Sequence, residues 1–315
     1  METASFDKQI AAVRLLDSVR KLKLDVASAC IDVIEAKAKL ALALDNLRTF
    51  EDLVRLNQTK VNSGSIAPQE LTRSRVAMLQ FRNSVKRAEL ELLTTKTKLQ
   101  NLLGRRSPID NFDVEGELAV PLYAGQIDPL ALEQRAFTAR PDVQTQQRTQ
   151  ARSQSELKLQ LAQAIIDYTL GVEYRRYATN VQSSSNYAGV FLSVPLPVFS
   201  RNQGEIARVR SEQDQLAKQV TAIRAQVATE VKAAYQEIRS TRDLLQSIEA
   251  DLLEPARQAR DNAAYIYKAG ATTLVELLDA QRAFNETMQS YYEAQGAYRR
   301  AAFRLNNSVG EEVVP

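Results

Sequence analysis

Histidine and tryptophan are absent from the 315 residues, and cysteine occurs once. Without imidazole there are no Ser–His or Cys–His nucleophile pairs and none of the usual zinc ligand sets. No phosphate loop or nucleophile motif takes their place. No catalytic, cofactor-binding or metal-binding residue is therefore assigned, and an enzyme is not expected. The single Cys30 excludes an intramolecular disulfide; it falls on an apolar helical seam, as a small core residue does. Aromatic residues amount to 6%, too few for a thick globular core. No run of 18 or more apolar residues occurs, so no helix is expected to span a bilayer. Neither sign of charge dominates: 41 basic and 38 acidic residues are interspersed, net +3, without a basic block. Nucleic acid is not an expected partner. The opening METASFDKQI shows neither a charged-then-apolar leader nor a small-residue cleavage site.

What is abundant is Ala, Leu, Gln, Arg and Glu, the composition of long helices packed along narrow seams. From Ser5 to Asn62 apolar residues recur at spacings of three and four (Ile10, Val13, Leu16, Val19, then Ala27, Ile31, Ile34, Leu40, Leu44, Leu47) with no interior Gly or Pro. The spacing predicts one helix roughly 85 Å long at 1.5 Å per residue, the length of a coiled-coil strand. Asn62 to Ser65 breaks it, Pro68 opens a second helix, and Gly104 ends that one. A linker rich in Pro and Gly runs from 105 to 129. Helices are expected from Leu130 to Thr138, from Arg140-Pro141 to Gln163, from Glu205 to Lys268 and from Thr273 to Ser308.

One stretch breaks the helical pattern. From Tyr168 the even positions (Tyr168, Leu170, Val172, Tyr174) are apolar or aromatic, and the odd ones (Thr169, Gly171, Glu173, Arg175) are mostly polar. That alternation is a strand with two unlike faces. A polar turn is expected from Asn180 to Asn186. A second strand is expected from Tyr187 to Phe199 with Ala188, Val190, Leu192, Val194 and Leu196 on one face, closed by Pro195 and Pro197. On these residues alone, a surface hairpin on a soluble helical protein and a hairpin of an outer-membrane barrel stand level.

The chain also repeats itself. Gly64 matches Gly270, Glu70 Glu276, Leu71 Leu277, Ala88 Ala294, Leu99 Leu305, Asn101 Asn307 and Gly104 Gly310, each pair 206 residues apart. At 205 apart, Asp25-Val26 matches Glu230-Val231 and Ala29 matches Ala234. Generic helical similarity preserves Leu and Ala, not Gly and Asn landmarks in register. The second half has the hairpin in front of its long helix. The corresponding place in the first half falls before Met1, so the expectation is a missing first hairpin and export signal, by truncation or a misplaced start.

These features resemble the TolC-type outer-membrane efflux factors over nearly the whole chain. The residues that carry the resemblance are the tandem repeat, Arg140-Pro141-Asp142-Val143, the segment Pro195-Leu196-Pro197-Val198-Phe199-Ser200-Arg201-Asn202-Gln203-Gly204, and Tyr267-Lys268-Ala269-Gly270 followed by Leu277-Leu278-Asp279-Ala280-Gln281-Arg282. The proline-rich segment is similar to the cobalt–zinc–cadmium efflux branch. The fold class implied is mainly α, with long antiparallel coiled-coil-like helices in two tandem repeats plus one β-hairpin. The domains are then a first repeat over 1–104 lacking its hairpin, an equatorial linker 105–129, helices leading to the barrel 130–164, the barrel hairpin 165–204, a second repeat 205–310 and a tail 311–315.

The resemblance implies a homotrimer that shares one barrel in outer-membrane lipid and extends a helical tunnel through the periplasm of a Gram-negative cell. Its implied partners are a periplasmic adaptor and an inner-membrane pump. Two strands per chain make six in a trimer, fewer than the smallest familiar barrels, so the polypeptide as given is not expected to form a normal pore. Gly64, Ser65, Gly270 and Ala271 are the expected adaptor-contact tip; as residues alone they are simply helix stops. Glu276 and Asp279, three apart on one helix face, with Tyr267, are the expected tunnel gate, Tyr267 and Arg282 or Gln281 bonding between helix pairs. Ordinary solvated acids are the alternative. Pro255 removes the hydrogen bond to the Asp251 carbonyl and is an expected kink; its first-half counterpart is Thr49. A soluble coiled-coil scaffold and a protein-secretion duct of the same fold are the competing functions. A signal sequence and two further strands encoded upstream of Met1 are the expected finding on sequencing that DNA.

Overall fold

The computed structural model describes residues 2–105, 109, 111–119, 121–123, 125, 128–165, 167–180, 183–194, 199 and 201–314, with backbone alone for 178–180 and 183–185. Its elements are α1 (Glu2–Asn62), α2 (Pro68–Leu102), α3 (Pro129–Ala139), α4 (Pro141–Gln163), β1 (Thr169–Asn180), β2 (Ser183–Ser193), α5 (Gln203–Ser247), a π-helical turn (Ile248–Leu252), α6 (Leu253–Lys268) and α7 (Leu274–Val309). Two compact units divide the chain: Met1–Leu15 with Pro141–Ala225, and Leu16–Arg140 with Gln226–Pro315.

In the first unit α4 and the start of α5 are joined by amides. Gln146 Nε2 donates to Gln219 Oε1 at 2.8 Å, and Gln213 Nε2 to the Ser153 carbonyl at 3.1 Å. Arg152 holds Asp7 of α1 at 2.6 Å. The chain enters α5 through Asn202, the one non-glycine residue with positive φ (59°) among those described. Asparagine tolerates this left-handed geometry, and its amide donates to the Gln160 carbonyl and side chain at 2.9 and 2.7 Å. Residues 195–198 and 200 of the proline-rich motif lie outside the described residues.

The hairpin is a two-stranded antiparallel sheet whose turn is shorter than the sequence predicts, the second strand starting at Ser183 instead of Tyr187 and ending at Ser193. The polar stretch from Asn180 does not run as an open turn to Asn186. Ser183 pairs with Asn180, Ser184 with Ala178 and Ser185 with Tyr177, with a register shift between Ala178 and Asn180. Serine is a poor strand former by packing, but a ribbon edge is held by backbone bonds that any residue supplies.

In the second unit the two halves of the repeat adopt the same local structure. Gly64 N–H donates to Val61 O and Ser65 N–H to Lys60 O; Gly270 N–H donates to Tyr267 O and Ala271 N–H to Ile266 O, all within 2.8 to 3.1 Å. Past the other end of each half, an amide catches the returning chain. Gln100 Oε1 accepts from Ile109 N–H at 2.6 Å, and Asn306 Oδ1 from Val313 and Val314 N–H at 2.8 and 2.9 Å. Ala29 and Val33 of α1 are buried against Leu99 of α2, and their counterparts Ala234, Ile238 and Leu305 are buried too. Half-buried Cys30 joins the first of these clusters, where burial pushes its thiol pKa up. Arg140 of the Arg140-Pro141-Asp142 motif is buried and donates to Glu230 Oε2 at 2.6 Å and the Ser308 carbonyl at 3.0 Å.

The long helices of the two halves differ in continuity. The expected uninterrupted helix from Glu205 to Lys268 is broken by the π turn, in which Leu253 N–H reaches back five residues to Ile248 O. Leu40 and Leu245 match at a spacing of 205, whereas Asp45 and Asp251, then Leu47 and Leu253, match at 206. The extra residue of the second half therefore falls where the π turn lies. A five-residue hydrogen-bond step absorbs one residue and leaves the helix faces on either side in phase. Pro255, which lacks the N–H an α-helix needs at that point, follows in the first turn of α6; Thr49 in uninterrupted α1 instead donates its hydroxyl to Asp45 O at 3.0 Å. Tyr291 of α7 clamps the turn by donating to Glu249 at 3.1 Å.

Deletion of Ala250 combined with Pro255→Thr is expected to convert this region to continuous α-helix with a melting temperature within a few degrees of the parent. Deletion of Ala38 from α1 turns every later side chain by about 100° and is expected to abolish cooperative unfolding, both read by circular dichroism. Burial, and then the hydrogen bond and charge of Glu249, push the Tyr291 phenol up to about 12. Its neutral form stabilises the fold fully below the ordinary value of 10, and that contribution is lost as pH rises through about 12. In a spectrophotometric phenolate titration Glu249→Gln is expected to lower this midpoint only part of the way, since burial is the larger cause.

Candidate functional site

The two glycine turns lie side by side. Lys60 Nζ, one turn before Gly64, donates to the Lys268 carbonyl at 3.2 Å and sits 5.5 Å from the Tyr267 ring centroid. A cation there meets the negative end of α6. Gly64 and Gly270 have φ of 71° and 80°, and a Cβ at either would meet nothing within 4 Å. Glycine is required by the backbone angle, not by crowding. Gly64, Ser65, Gly270 and Ala271 are all exposed.

The three expected gate residues are not gathered in one chain. Glu276 opens α7, its N–H capped by Thr273 Oγ1 at 3.3 Å and its carboxylate accepting from Thr272. Asp279, on the same exposed face, is 3.7 Å from Arg282. Tyr267 instead turns inward: it is buried and donates to Asn57 Oδ1 at 3.0 Å. Burial raises its phenol pKa; the Asn57 hydrogen bond opposes this and the Glu70 charge adds to it. Tyr267 is therefore bonded to α1 within its own chain, and Gln281 likewise, not to each other or to Arg282. The separation follows from helix geometry, because Tyr267 packs with Phe50, Leu53, Leu274 and Leu277 on the inner side.

This core conceals a polar seam that sequence reading missed. Gln281 Nε2 donates to Asn46 Oδ1 at 2.9 Å and Asn46 Nδ2 to Asn285 Oδ1 at 2.8 Å; Asn46, Asn57 and Gln281 are all buried. Asn57 Nδ2 has no hydrogen-bond partner. The available signal was two asparagines eleven residues apart, three helical turns, on the apolar stripe of α1. Above them opens a cleft of roughly 450 Å³ lined by Asn46, Phe50, Arg260, Tyr267 and Gln281, with Arg260 stacked 4.0 Å over Phe284. Among the described residues no group of three or more His, Cys, Asp or Glu is placed to hold a metal ion.

The hairpin carries its apolar residues on one face in matched rows: Leu170 opposite Leu192, Val172 opposite Val190 and Tyr174 opposite Ala188. The named members of these rows other than Ala188 are 66 to 82% exposed. Tyr168 and Val194 continue the face just beyond the strand ends and are also exposed. On the other face the Phe191 ring lies over Gly171 and the Tyr187 side chain over Gly189, where a Cβ would run into the Phe191 ring and come within 2.8 Å of the Tyr187 hydroxyl. Strands of 12 and 11 residues are long enough to supply the 9–11 residues that cross a membrane in a tilted barrel.

Tyr267→Phe is expected to leave the buried Asn57 carboxamide without a partner and to cost about 1–3 kcal/mol of unfolding free energy. Adding Asn57→Leu is expected to recover most of that loss, read as a double-mutant cycle in denaturant.

Residues 132–311 match the family model of the outer membrane efflux proteins. The chain is 22% identical to the cobalt-zinc-cadmium resistance protein CzcC of Cupriavidus metallidurans over 98% of its own length and 72% of that protein's. It is 24% identical to the pyoverdine export outer membrane protein OpmQ of Pseudomonas putida over 98% of its length and 64% of that protein's. The solved structure of CusC, studied for folding and transmembrane channel formation, superimposes with a TM-score of 0.79 at 18% identity over 98% of this chain and 73% of that one. The resemblance carried by the tandem repeat and its motifs thus extends to the family model: the chain belongs to the outer membrane efflux protein family and is an outer-membrane efflux channel subunit, not an enzyme.

Proposed function

We propose that the protein is one protomer of a homotrimeric duct that carries metal ions or small molecules from a periplasmic adaptor and an inner-membrane pump through the outer membrane. The observation that carries this is the exposed, row-matched apolar face of the hairpin. A two-stranded ribbon is marginal in water, and burying each side chain of such a face is worth about 1.5–3 kcal/mol. Lipid on that face and neighbouring strands on the ribbon's edges satisfy both needs.

The internal repeat supports the homo-oligomer. On α2, Val76, Leu79, Leu90 and Leu93 form an exposed apolar stripe. Their counterparts 206 residues on are Arg282, Asn285, Gly296 and Arg299 of α7. Two of those pack on α1 of the same chain: Asn285 bonds Asn46, and Gly296 leaves the space that the Glu35 carboxylate fills beside Arg300. By the same rule the α2 stripe takes α5–α6 of the next protomer, where Leu244 and Leu252 are exposed.

The twin glycine turns are the adaptor-contact tip, and Glu276 with Asp279 forms the gate when a threefold axis gathers six carboxylates. With no histidine in the chain, selection among substrates rests with the pump and adaptor. CzcC and OpmQ are named for cobalt–zinc–cadmium resistance and for pyoverdine export, and both kinds of cargo fit a passive duct.

Membrane fractionation tests the reading. The wild-type protein is expected in the outer-membrane fraction, and Val172→Arg, costing about 2–4 kcal/mol near mid-bilayer, is expected to shift it out. Recovery of the wild type in the soluble fraction establishes the coiled-coil scaffold instead. Leu90→Asp is expected to leave helicity unchanged and to reduce the assembly to single chains in light scattering.

A further inference from the structure

The even-numbered face of the ribbon does not stay apolar to its closed end. After the Tyr174/Ala188 row comes Arg176 opposite Asn186. The register shift lies further on, between Ala178 and Asn180, so strand alternation keeps Arg176 and Asn186 on the same face as Leu170 and Val172. Both residues are exposed. Arg175, one residue earlier and on the opposite face, is ion-paired with Glu173. Arg176 is paired with no carboxylate among the described residues.

Depth decides what Arg176 meets, on the reading that this face lies against lipid. Eight residues separate it from Tyr168, roughly 26 Å of strand at 3.3 Å per residue. At a tilt of about 40° that is a rise of about 20 Å, against an apolar band about 25 Å tall. The guanidinium thus emerges at the edge of the hydrocarbon, where a charge needs water or an anion. Phosphate is the anion at that depth, and guanidinium binds it through two parallel hydrogen bonds. The Asn186 amide stands across the ribbon, about 5 Å away between Cβ atoms, and Tyr174 lies one row below, about 7 Å along the strand. A guanidinium, an amide and a phenol therefore occupy two adjacent rows at the end of an apolar surface. Both open ends of the ribbon lead into helices (α4 and α5), so its closed end, and this cluster, face the far leaflet.

We propose that Arg176, with Asn186 and Tyr174, binds the phosphate of an outer-leaflet lipid headgroup. The site locks the depth of the ribbon: the apolar rows set how far it enters, and the phosphate contact stops it sliding.

The purified protein in detergent is mixed with phosphorylated lipid A or with the same lipid after phosphatase treatment, and retained lipid is counted by native mass spectrometry. The wild type is expected to prefer the phosphorylated lipid by roughly tenfold, the equivalent of 1.4 kcal/mol. Arg176→Gln is expected to lose the preference, Arg176→Lys to keep part of it, and Arg175→Gln to keep all of it. Equal retention of the two lipids by the wild type, or an undiminished preference in Arg176→Gln, overturns the proposal. So does full displacement by inorganic phosphate, which marks an ion site rather than a lipid site. Wild-type protein found in the outer-membrane fraction but without the preference overturns the lipid site and leaves the channel reading standing. Absence from that fraction overturns both.

Discussion

A helix of sixty-one residues is not held by its own hydrogen bonds; it needs lateral neighbours along its whole length. Everything else in the second unit follows from how α1 finds them. Its inner stripe meets α2 through Ala29, Val33 and Leu99, and α6 and α7 through Phe50, Leu53, Tyr267 and Leu277. Between these apolar contacts stand polar pins: Asn57 to Tyr267, Asn46 to Gln281, Glu35 to Arg300. Two smooth leucine seams slide past one another at little cost. Each buried amide or ion pair has only one register in which it is satisfied, so the pins fix the axial position that the leucines leave loose.

The same need explains how the duplicated halves tolerate an unequal length. An extra residue in an α-helix rotates every later side chain off its seam, and one inserted into a π turn does not. The second half carries its extra residue there, beside Pro255 and under the Tyr291–Glu249 clamp. What the sequence displayed as a one-residue change of spacing is a local widening of the helix. Proline and insertion occupy adjacent turns because both ask the backbone to give up the ordinary four-residue hydrogen bond.

Most of the architecture was legible because helices announce themselves by spacing and stops. Gly64, Gly104, Gly270 and Gly310 end or follow the helices they were expected to end, and the alternation from Tyr168 gave the ribbon and the residues that share each of its faces. The start of the second strand was not legible, since Ser183 to Ser185 are not strand-forming residues, yet their backbone pairs with the first strand. The inward turn of Tyr267 was hidden for another reason. An aromatic residue with a hydroxyl suits a lumen or a core equally well, and Asn57, which decides between them, is 210 positions away. The amide seam of Asn46 and Gln281 went unseen because polar residues on an apolar stripe read as interruptions until their partners are known.

The reverse side of the ribbon shows how an omitted side chain shapes a surface. At Gly171 and Gly189 the missing side chains leave the space that the ends of the Phe191 and Tyr187 side chains occupy. A single methyl group at either position would meet the aromatic group above it and force it outward. In this ribbon the two glycines therefore set how close the aromatic residues come to the backbone, and the contour of that face is written as much in what those positions omit as in the residues that cover them.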